Sequence, residues 1–456
     1  MIGRTNPIFL PMESQIREFD ARILMACCAA ARGRTSYLGS TTDINDNLWR
    51  FPKGYYFAKA MTRGSRRTFK RALSFGHLIA AWDEEAVVHY PADLYFPRRI
   101  DRRALNCVSK LFAWGQDNLD LWLEYPGFPM PLVTLAGNPR ADLLRPRLRE
   151  MFLPDAREIR RRHGDFVLIN TNFGSINCEL PALNLKYEDP EAPGQFLYGV
   201  TARGLPREEA DMLFEHRMKL FRSFERMIPA IASLLPEIKF VVRPHFAESI
   251  RYWQDQLRDI PNVCVERSGN VIPWLCAAQV MIHNGCTTAV EAYALDVPAI
   301  AFEEVRHPRY DVRLPNELSK QCMTHDGTVQ AISEIFRGAK PGRSSERDQL
   351  FTHYVFQRDE LLATDIVLTE IDGLDRAGGE LARAARRMVA QFGRFLPEWR
   401  VPKDPEKTSH KLMKFPGFDR KQVETTAAVI CKLLSIPPPV VAETAAAGVI
   451  RVSPQV

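Results

Sequence analysis

Val280-Met281-Ile282-His283-Asn284-Gly285-Cys286-Thr287-Thr288-Ala289-Val290-Glu291-Ala292-Tyr293-Ala294-Leu295-Asp296-Val297-Pro298-Ala299-Ile300-Ala301-Phe302 reads as an apolar strand, a polar loop holding one glycine, a helix and a second apolar strand. That order predicts a strand–helix–strand unit of a parallel sheet. Its first loop lies at the carboxyl end of a strand, where open α/β sheets bind ligands. Thr287 or Thr288 suits the N-cap, and the free N–H groups behind it suit a phosphate. Glu291, three or four residues on, shares their helical face and is placed to reach a ribose. Alone, the stretch favours an ordinary crossover with a capping threonine.

A second stretch adds weight to the ligand reading. Phe240-Val241-Val242-Arg243-Pro244-His245 is another apolar strand, and it ends in a cation and an imidazole. In a parallel sheet both strand ends open on one edge, so Arg243 and His245 are expected to serve the same anion as Thr287 and Thr288. His283, Asn284 and Gly285 complete that loop. Asn172, at the tip of the strand Phe166-Val167-Leu168-Ile169-Asn170, is a further contact candidate.

The 456 residues exceed one ordinary core, so at least two domains are expected. Hydrophobic residues make 46% and charged residues 25% of the chain, which suits a globular protein. No run approaches the ~18 apolar residues of a membrane span. No signal-peptide pattern opens the chain, and the nine cysteines form no CxxC pair. Both features predict a cytoplasmic location with reduced thiols. The net charge of +6 is too dilute over this length to indicate nucleic acid. Basic clusters at Arg98, Arg99, Arg102 and Arg103, at Arg160 to Arg162, and at Arg383, Arg386 and Arg387 read as solvated faces. Together they would also suit weak peripheral contact with an anionic inner membrane, at roughly 1 kcal/mol per well-placed cation.

The N-terminal part alternates strand and helix from Ile8-Phe9-Leu10 onward, which predicts a doubly wound domain. Leu78-Ile79-Ala80-Ala81-Trp82 runs into Asp83-Glu84-Glu85. Adjacent carboxylates raise one another's proton affinity, as a general base requires. A solvated acidic loop is the plainer account. Glu13 and Arg17 on the first helix, and Asn138 and Arg140 after a later strand, are expected to border the cleft. The boundaries read as an N-terminal Rossmann-like acceptor domain, 1–155, and a C-terminal Rossmann-like donor domain, 156–342. A helical segment, 343–435, and a disordered tail, 436–456, follow. No Asp-x-Asp or His/Cys cluster has ligand spacing, so neither a metal nor a cofactor is expected.

The ordered series Pro11-Met12-Glu13 with Arg17, Asp83-Glu84-Glu85, Trp114-Gly115, Gly137-Asn138-Pro139-Arg140 with Asp142, Ile169 to Phe173, Arg243-Pro244-His245 and His283 to Thr288 resembles the bacterial surface carbohydrate biosynthesis protein family. The resemblance covers about residues 8 to 325. More distantly it extends to bacterial sialyltransferases and capsular Kdo transferases, which use CMP-activated sugars. It implies the α/β GT-B architecture of two facing Rossmann-like domains. It also implies an inverting glycosyltransferase of surface polysaccharide, capsule or lipopolysaccharide biosynthesis, with a nucleotide-sugar donor, a CMP-sugar foremost, and a glycan or lipid-linked glycan acceptor. Glu84, with Asp83 or Glu85 as substitutes, would be the base, and His245 would serve the leaving phosphate. Two positions depart from those transferases: alanine follows the acidic pair, and phenylalanine follows His245. Three alternatives stand beside this reading: a CDP-glycerol-type glycerophosphotransferase, a sugar-nucleotide epimerase and a non-catalytic subunit of a polysaccharide assembly complex.

Overall fold

A computed structural model describes residues 5–339, 343–377 and 415–455. The chain forms two compact units. The first takes Met1–Ala86, Arg99–Met151 and Thr352–Val456, and the second takes Val87–Arg98 and Phe152–Phe351.

The first unit is built on β1 (Ile8–Met12), β2 (Ser36–Ser40), β3 (Tyr55–Ala58), β4 (Leu78–Ala81), β5 (Lys110–Ala113) and β6 (Val133–Leu135). They pair in parallel in the order β2-β1-β3-β4-β5-β6. The apolar runs of β1 to β5 are buried on both faces, as a sheet covered by helices on each side requires, and edge strand β6 is half-buried. The second unit holds β7 (Phe166–Asn170), a hairpin of β8 (Lys186–Glu188) and β9 (Phe196–Tyr198), then β10 (Lys239–Arg243), β11 (Val263–Val265), β12 (Val280–His283), β13 (Ala299–Phe302) and β14 (Lys320–Cys322). Its six parallel strands run in the order β11-β10-β7-β12-β13-β14. Counted within that unit the order is 3-2-1-4-5-6, the dinucleotide-binding topology. Phe173, Phe221, Phe224 and Trp253 form an aromatic cluster in its core.

The C-terminal stretch departs from expectation. Its described residues from Thr352 on join the first unit rather than standing as a separate helical segment, and those after Leu434 carry strands rather than a tail without structure, while 343–351 belong to the second unit. Helix Arg420–Leu434 packs on helix Gln15–Ala31. After it β15 (Val440–Glu443) and β16 (Val449–Ser453) extend the first sheet, β16 pairing antiparallel with β2. The physical reason is the free edge of β2, whose backbone groups need partners. The expected helix over Gly379 to Phe392, and the basic cluster within it, lie outside the described residues.

Two contacts fix the return of the chain. Phe356 N–H donates to the Trp114 carbonyl at 2.7 Å. A side chain on Gly115 would collide there with the backbone of Tyr354. Asp142 is buried and caps helix Ala363–Ala377, accepting from the N–H groups of Ala363 (2.8 Å) and Thr364 (2.9 Å) and from the Thr364 hydroxyl (3.0 Å). Burial pushes its carboxyl up to about 6.

Candidate functional site

In each sheet the strand order reverses at one place, and there the loops at the carboxyl ends part to leave a crevice. In the second unit that place lies between β7 and β12. Asn170 and His283 stand opposite each other in its register, and Arg243 sits beside Asn170 on β10. The loops that follow carry Asn172, His245 and Asn284 to Thr288. The sheet therefore brings the donor candidates to one edge.

Their individual roles differ from expectation. Helix Thr287–Ala294 is capped by Cys286, whose side chain makes no cap hydrogen bond, so Thr287 and Thr288 occupy its first turn rather than its cap. Sγ of Cys286 lies 2.6 Å from the Thr288 hydroxyl, and burial pushes its thiol up to about 11, which keeps it neutral. Glu291 follows on the same helix, partly exposed. His283 is fully buried. Its Nδ1 accepts from Gly285 N–H at 2.9 Å and its Nε2 meets the Ser319 hydroxyl at 2.8 Å; that hydroxyl donates in turn to the Pro315 carbonyl. Burial holds its pKa near 3. His283 is thus a neutral brace of the loop, with both nitrogens committed to the fold. Gly285 has φ +77, and a Cβ there would lie 2.9 Å from Val312 Cγ2. Gly285→Ala is expected to cost about 2 kcal/mol through left-handed strain and this contact, read as a lower urea midpoint at unchanged slope.

Arg243 turns its Nη2 to the carbonyls of Ser268 (3.2 Å) and Gly269, so part of its guanidinium serves the loop after β11. Burial, with Arg267 beside it, lowers its pKa to about 10, and it stays charged. Asn284 Nδ2 donates to the Asn172 carbonyl across a long 3.4 Å, which links the two loops at the crevice. Its Oδ1 is buried with no hydrogen-bond partner. His245 Nδ1 accepts from Ala247 N–H at 3.3 Å, which leaves the proton of the neutral ring on Nε2.

Sequence reading missed what holds His245. Glu248 is fully buried and accepts from the N–H groups of His245 (3.0 Å) and Phe173 (2.9 Å), the Thr171 hydroxyl (2.9 Å) and Trp253 Nε1 (2.9 Å). It ties the loop after β7 to the loop after β10. Burial raises its pKa against the pull of those donors. Arg309, Asp311 and Arg313, in the segment after β13, are engaged within the unit: Arg309 pairs with Glu209 and Asp93, Asp311 with His216 and Arg313 with Glu317.

In the first unit the reversal lies between β1 and β3, where Glu13 pairs with Lys59. The three carboxylates after β4 do not form one repelling cluster, because each has its own cation. Asp83 is buried against Arg99, whose Nε lies 3.0 Å away. Glu84 Oε1 accepts from Trp82 Nε1 at 2.5 Å and from Arg22 at 3.3 Å. Exposed Glu85 pairs with Arg17 at 2.9 Å. Arg17 holds the Glu85 carboxyl down to about 2, the reverse of the raised proton affinity expected of the triplet. Glu84 Oε2 is buried with no hydrogen bond, and Arg140 Nη1 stands 3.7 Å from it. Arg140 follows Asn138, which caps helix Pro139–Asp142 by accepting from Arg140 N–H at 2.9 Å. Arg22 stacks over Trp82 at 4.8 Å and Arg140 over Trp114 at 5.9 Å. The acceptor candidates thus lie among ion pairs that also hold Arg22 and Lys59, which no local sequence signal marked, and Arg99, which the sequence placed in a solvated basic cluster.

Among the described residues no group of three His, Cys, Asp or Glu side chains could hold a metal ion, and no helix is long and apolar enough to cross a membrane.

No family model matches the chain, and no curated protein matches it. Among solved structures, the UDP-GlcNAc 2-epimerase of Methanocaldococcus jannaschii, in complex with UDP-GlcNAc and UDP, aligns at 12% identity over 81% of this chain and 99% of its own, with a TM-score of 0.50. The Neisseria meningitidis UDP-GlcNAc 2-epimerase bound to UDP-GlcNAc aligns at 12% identity over 80% and 98%, with a TM-score of 0.47. Anabaena HepE in complex with UDP and glucose aligns at 10% identity over 83% and 100%, with a TM-score of 0.41. At such identities the likeness is one of fold, and the chain is an α/β protein of the GT-B class with two Rossmann-like units.

Proposed function

We infer that the protein is an inverting glycosyltransferase acting on a nucleotide-activated sugar. The observation that carries this reading is the carboxyl edge of the second sheet. There a helix N-terminus without a side-chain cap and the bridged Asn172 and Asn284 loops lie at the reversal of strand order, and a histidine that accepts on Nδ1 follows the neighbouring strand. Such an edge favours a phosphate that gains negative charge as it leaves: the helix dipole and N–H groups of Thr287 and Thr288 stabilise it, and His245 donates to it. Arg243 adds charge from β10. These groups supply the stabilisation that a metal gives elsewhere. Glu291 is placed for the ribose. In the first unit Glu84 takes the proton of the attacking hydroxyl, with Arg140 and Asn138 beside it for the acceptor.

The donor we infer is a CMP-activated acidic sugar such as Kdo or a sialic-acid-like sugar, and the acceptor a surface glycan, free or lipid-linked. The competing reading is a UDP-sugar epimerase, because the M. jannaschii protein of this fold binds UDP-GlcNAc. Thermal stabilisation by CMP, CDP, UDP and GDP, each with and without magnesium, separates them. A ligand at ~100 times its dissociation constant adds about 2.7 kcal/mol. A metal-independent shift with CMP, lost in His245→Ala, is the expected result. A shift with UDP alone, and conversion of UDP-GlcNAc without acceptor, would establish the epimerase. No shift with any nucleotide would overturn nucleotide-sugar chemistry altogether.

A further inference from the structure

The turn that carries His245 is held by a buried carboxylate on one side and a half-buried guanidinium on the other. Glu248 receives its first N–H, that of His245, at 3.0 Å. Arg267 Nη1 donates to three of its carbonyls, those of His245 (3.1 Å), Phe246 (3.2 Å) and Glu248 (2.7 Å). The turn closes on itself as Glu248 N–H donates to the His245 carbonyl at 2.8 Å. One carboxylate thus claims the first donor, and one guanidinium three of the acceptors, of a single four-residue turn.

Placing a fully buried carboxylate costs several kcal/mol before its partners offset it, and an apolar side chain would fill the same space without that cost. Packing alone does not call for this pair. Geometry does, since the bond from Ala247 N–H to His245 Nδ1 at 3.3 Å exists only while the turn keeps its shape. Gly174 lies against the same turn, and a Cβ there would stand 2.9 Å from Ala247 Cβ and 3.3 Å from His245 Nδ1.

We propose that Glu248 and Arg267 are positioning residues that hold His245 with its proton on Nε2, presented to the leaving phosphate. The inference rests on the reading of His245 as a phosphate contact, but its first readout does not. Glu248→Gln puts an amide N–H₂ where a carboxylate oxygen accepts, so at least one of the four donors loses its partner and the turn loosens. Arg267→Met removes the hold on the carbonyls, and Arg267→Lys retains a donor that can reach them.

The test is performed on the full chain with ¹⁵N-labelled histidine at pH 8. Long-range ¹H–¹⁵N spectra are expected to show the Nε2–H form of His245 in the wild type and in Arg267→Lys, and a mixture of tautomers in Glu248→Gln and Arg267→Met. CMP affinity, measured by calorimetry, is expected to fall about tenfold in Glu248→Gln, as in His245→Ala, with no further loss in the double variant. A single Nε2–H form in both Glu248→Gln and Arg267→Met would overturn the proposal. Should Glu248→Gln fail to fold, the Met and Lys variants of Arg267 decide by themselves. Wild-type protein that shows the tautomer but binds no CMP would refute the donor reading while leaving the positioning result to stand on the spectra.

Discussion

Arg34→Ala is expected to destabilise the protein by about 3 kcal/mol, although Arg34 lies far along the chain from every candidate site residue of the second unit. The side chain is 1% exposed, and its Nη2 bonds to both Asp372 and Asp375, the latter at 2.7 Å, while Nη1 bonds to the Asn6 carbonyl. Asp375 also accepts from the Tyr55 hydroxyl at 2.8 Å and from Asn6 Nδ2 at 2.5 Å. Removing the cation leaves two carboxylates in a partly buried site without their counter-charge, a loss of about 3–5 kcal/mol where burial is complete. Asp372 keeps 30% of its side chain exposed, so solvent recovers part of the charge and the lower end applies. The loss should be local first, since these bonds fasten helix Ala363–Ala377 to the strand that opens the fold. Hydrogen exchange in that helix is expected to quicken before the second unit responds. Asp365→Ala is the control. It breaks the surface pair with Arg32, in which both partners are about 28–29% exposed, and should cost less than about 1 kcal/mol. Equal losses in the two variants would show that the buried network contributes nothing beyond an ordinary surface pair.

What the sequence made legible was the sheet. Continuous apolar runs such as Phe166 to Ile169 and Val280 to Ile282 are strands because both their faces are covered, and glycine or polar residues at their ends mark the loops of the carboxyl edge. That is enough to bring His245, Asn284 and Thr287 to one place, since parallel strands open together. Three kinds of feature stayed hidden. Side-chain direction was one: His283 ends a strand beside Asn284, yet it points into the fold and finds Ser319, thirty-six residues away. Partners distant in sequence were another. Asp83, Glu84 and Glu85 read as mutual repulsion until Arg99, Arg22 and Arg17 are folded against them. Glu248 carries no local signal at all, because its meaning arises only when the loops of β7 and β10 meet. The third was edge pairing, as β16 lies more than four hundred residues from the strand it joins, and no periodicity in Val449–Ser453 announces β2.

Glu84→Gln is expected to lower glycosyl transfer by 10²–10⁴, the range that loss of a positioned general base produces. Arg22 and Trp82 hold Oε1, so the carboxylate keeps its direction. Oε2 is left without a hydrogen bond and is the oxygen assigned to the acceptor's proton. An acceptor hydroxyl needs only modest help from a base when the anomeric carbon carries most of the positive charge in the transition state. In the glutamine variant the amide oxygen can keep the bonds of Trp82 and Arg22 while its N–H₂ takes the place of Oε2. Thermal stability should therefore fall by no more than about 1–2 kcal/mol, and donor binding should be unchanged. Glu85→Gln serves as the comparison. Its carboxyl is exposed and held near 2 by Arg17, so it has little affinity for a proton and its loss should leave turnover within about twofold of wild type. An equal loss in both variants would move the base to Glu85. Undiminished transfer by Glu84→Gln would remove the carboxylate of the first unit from the chemistry and leave acceptor activation to another group.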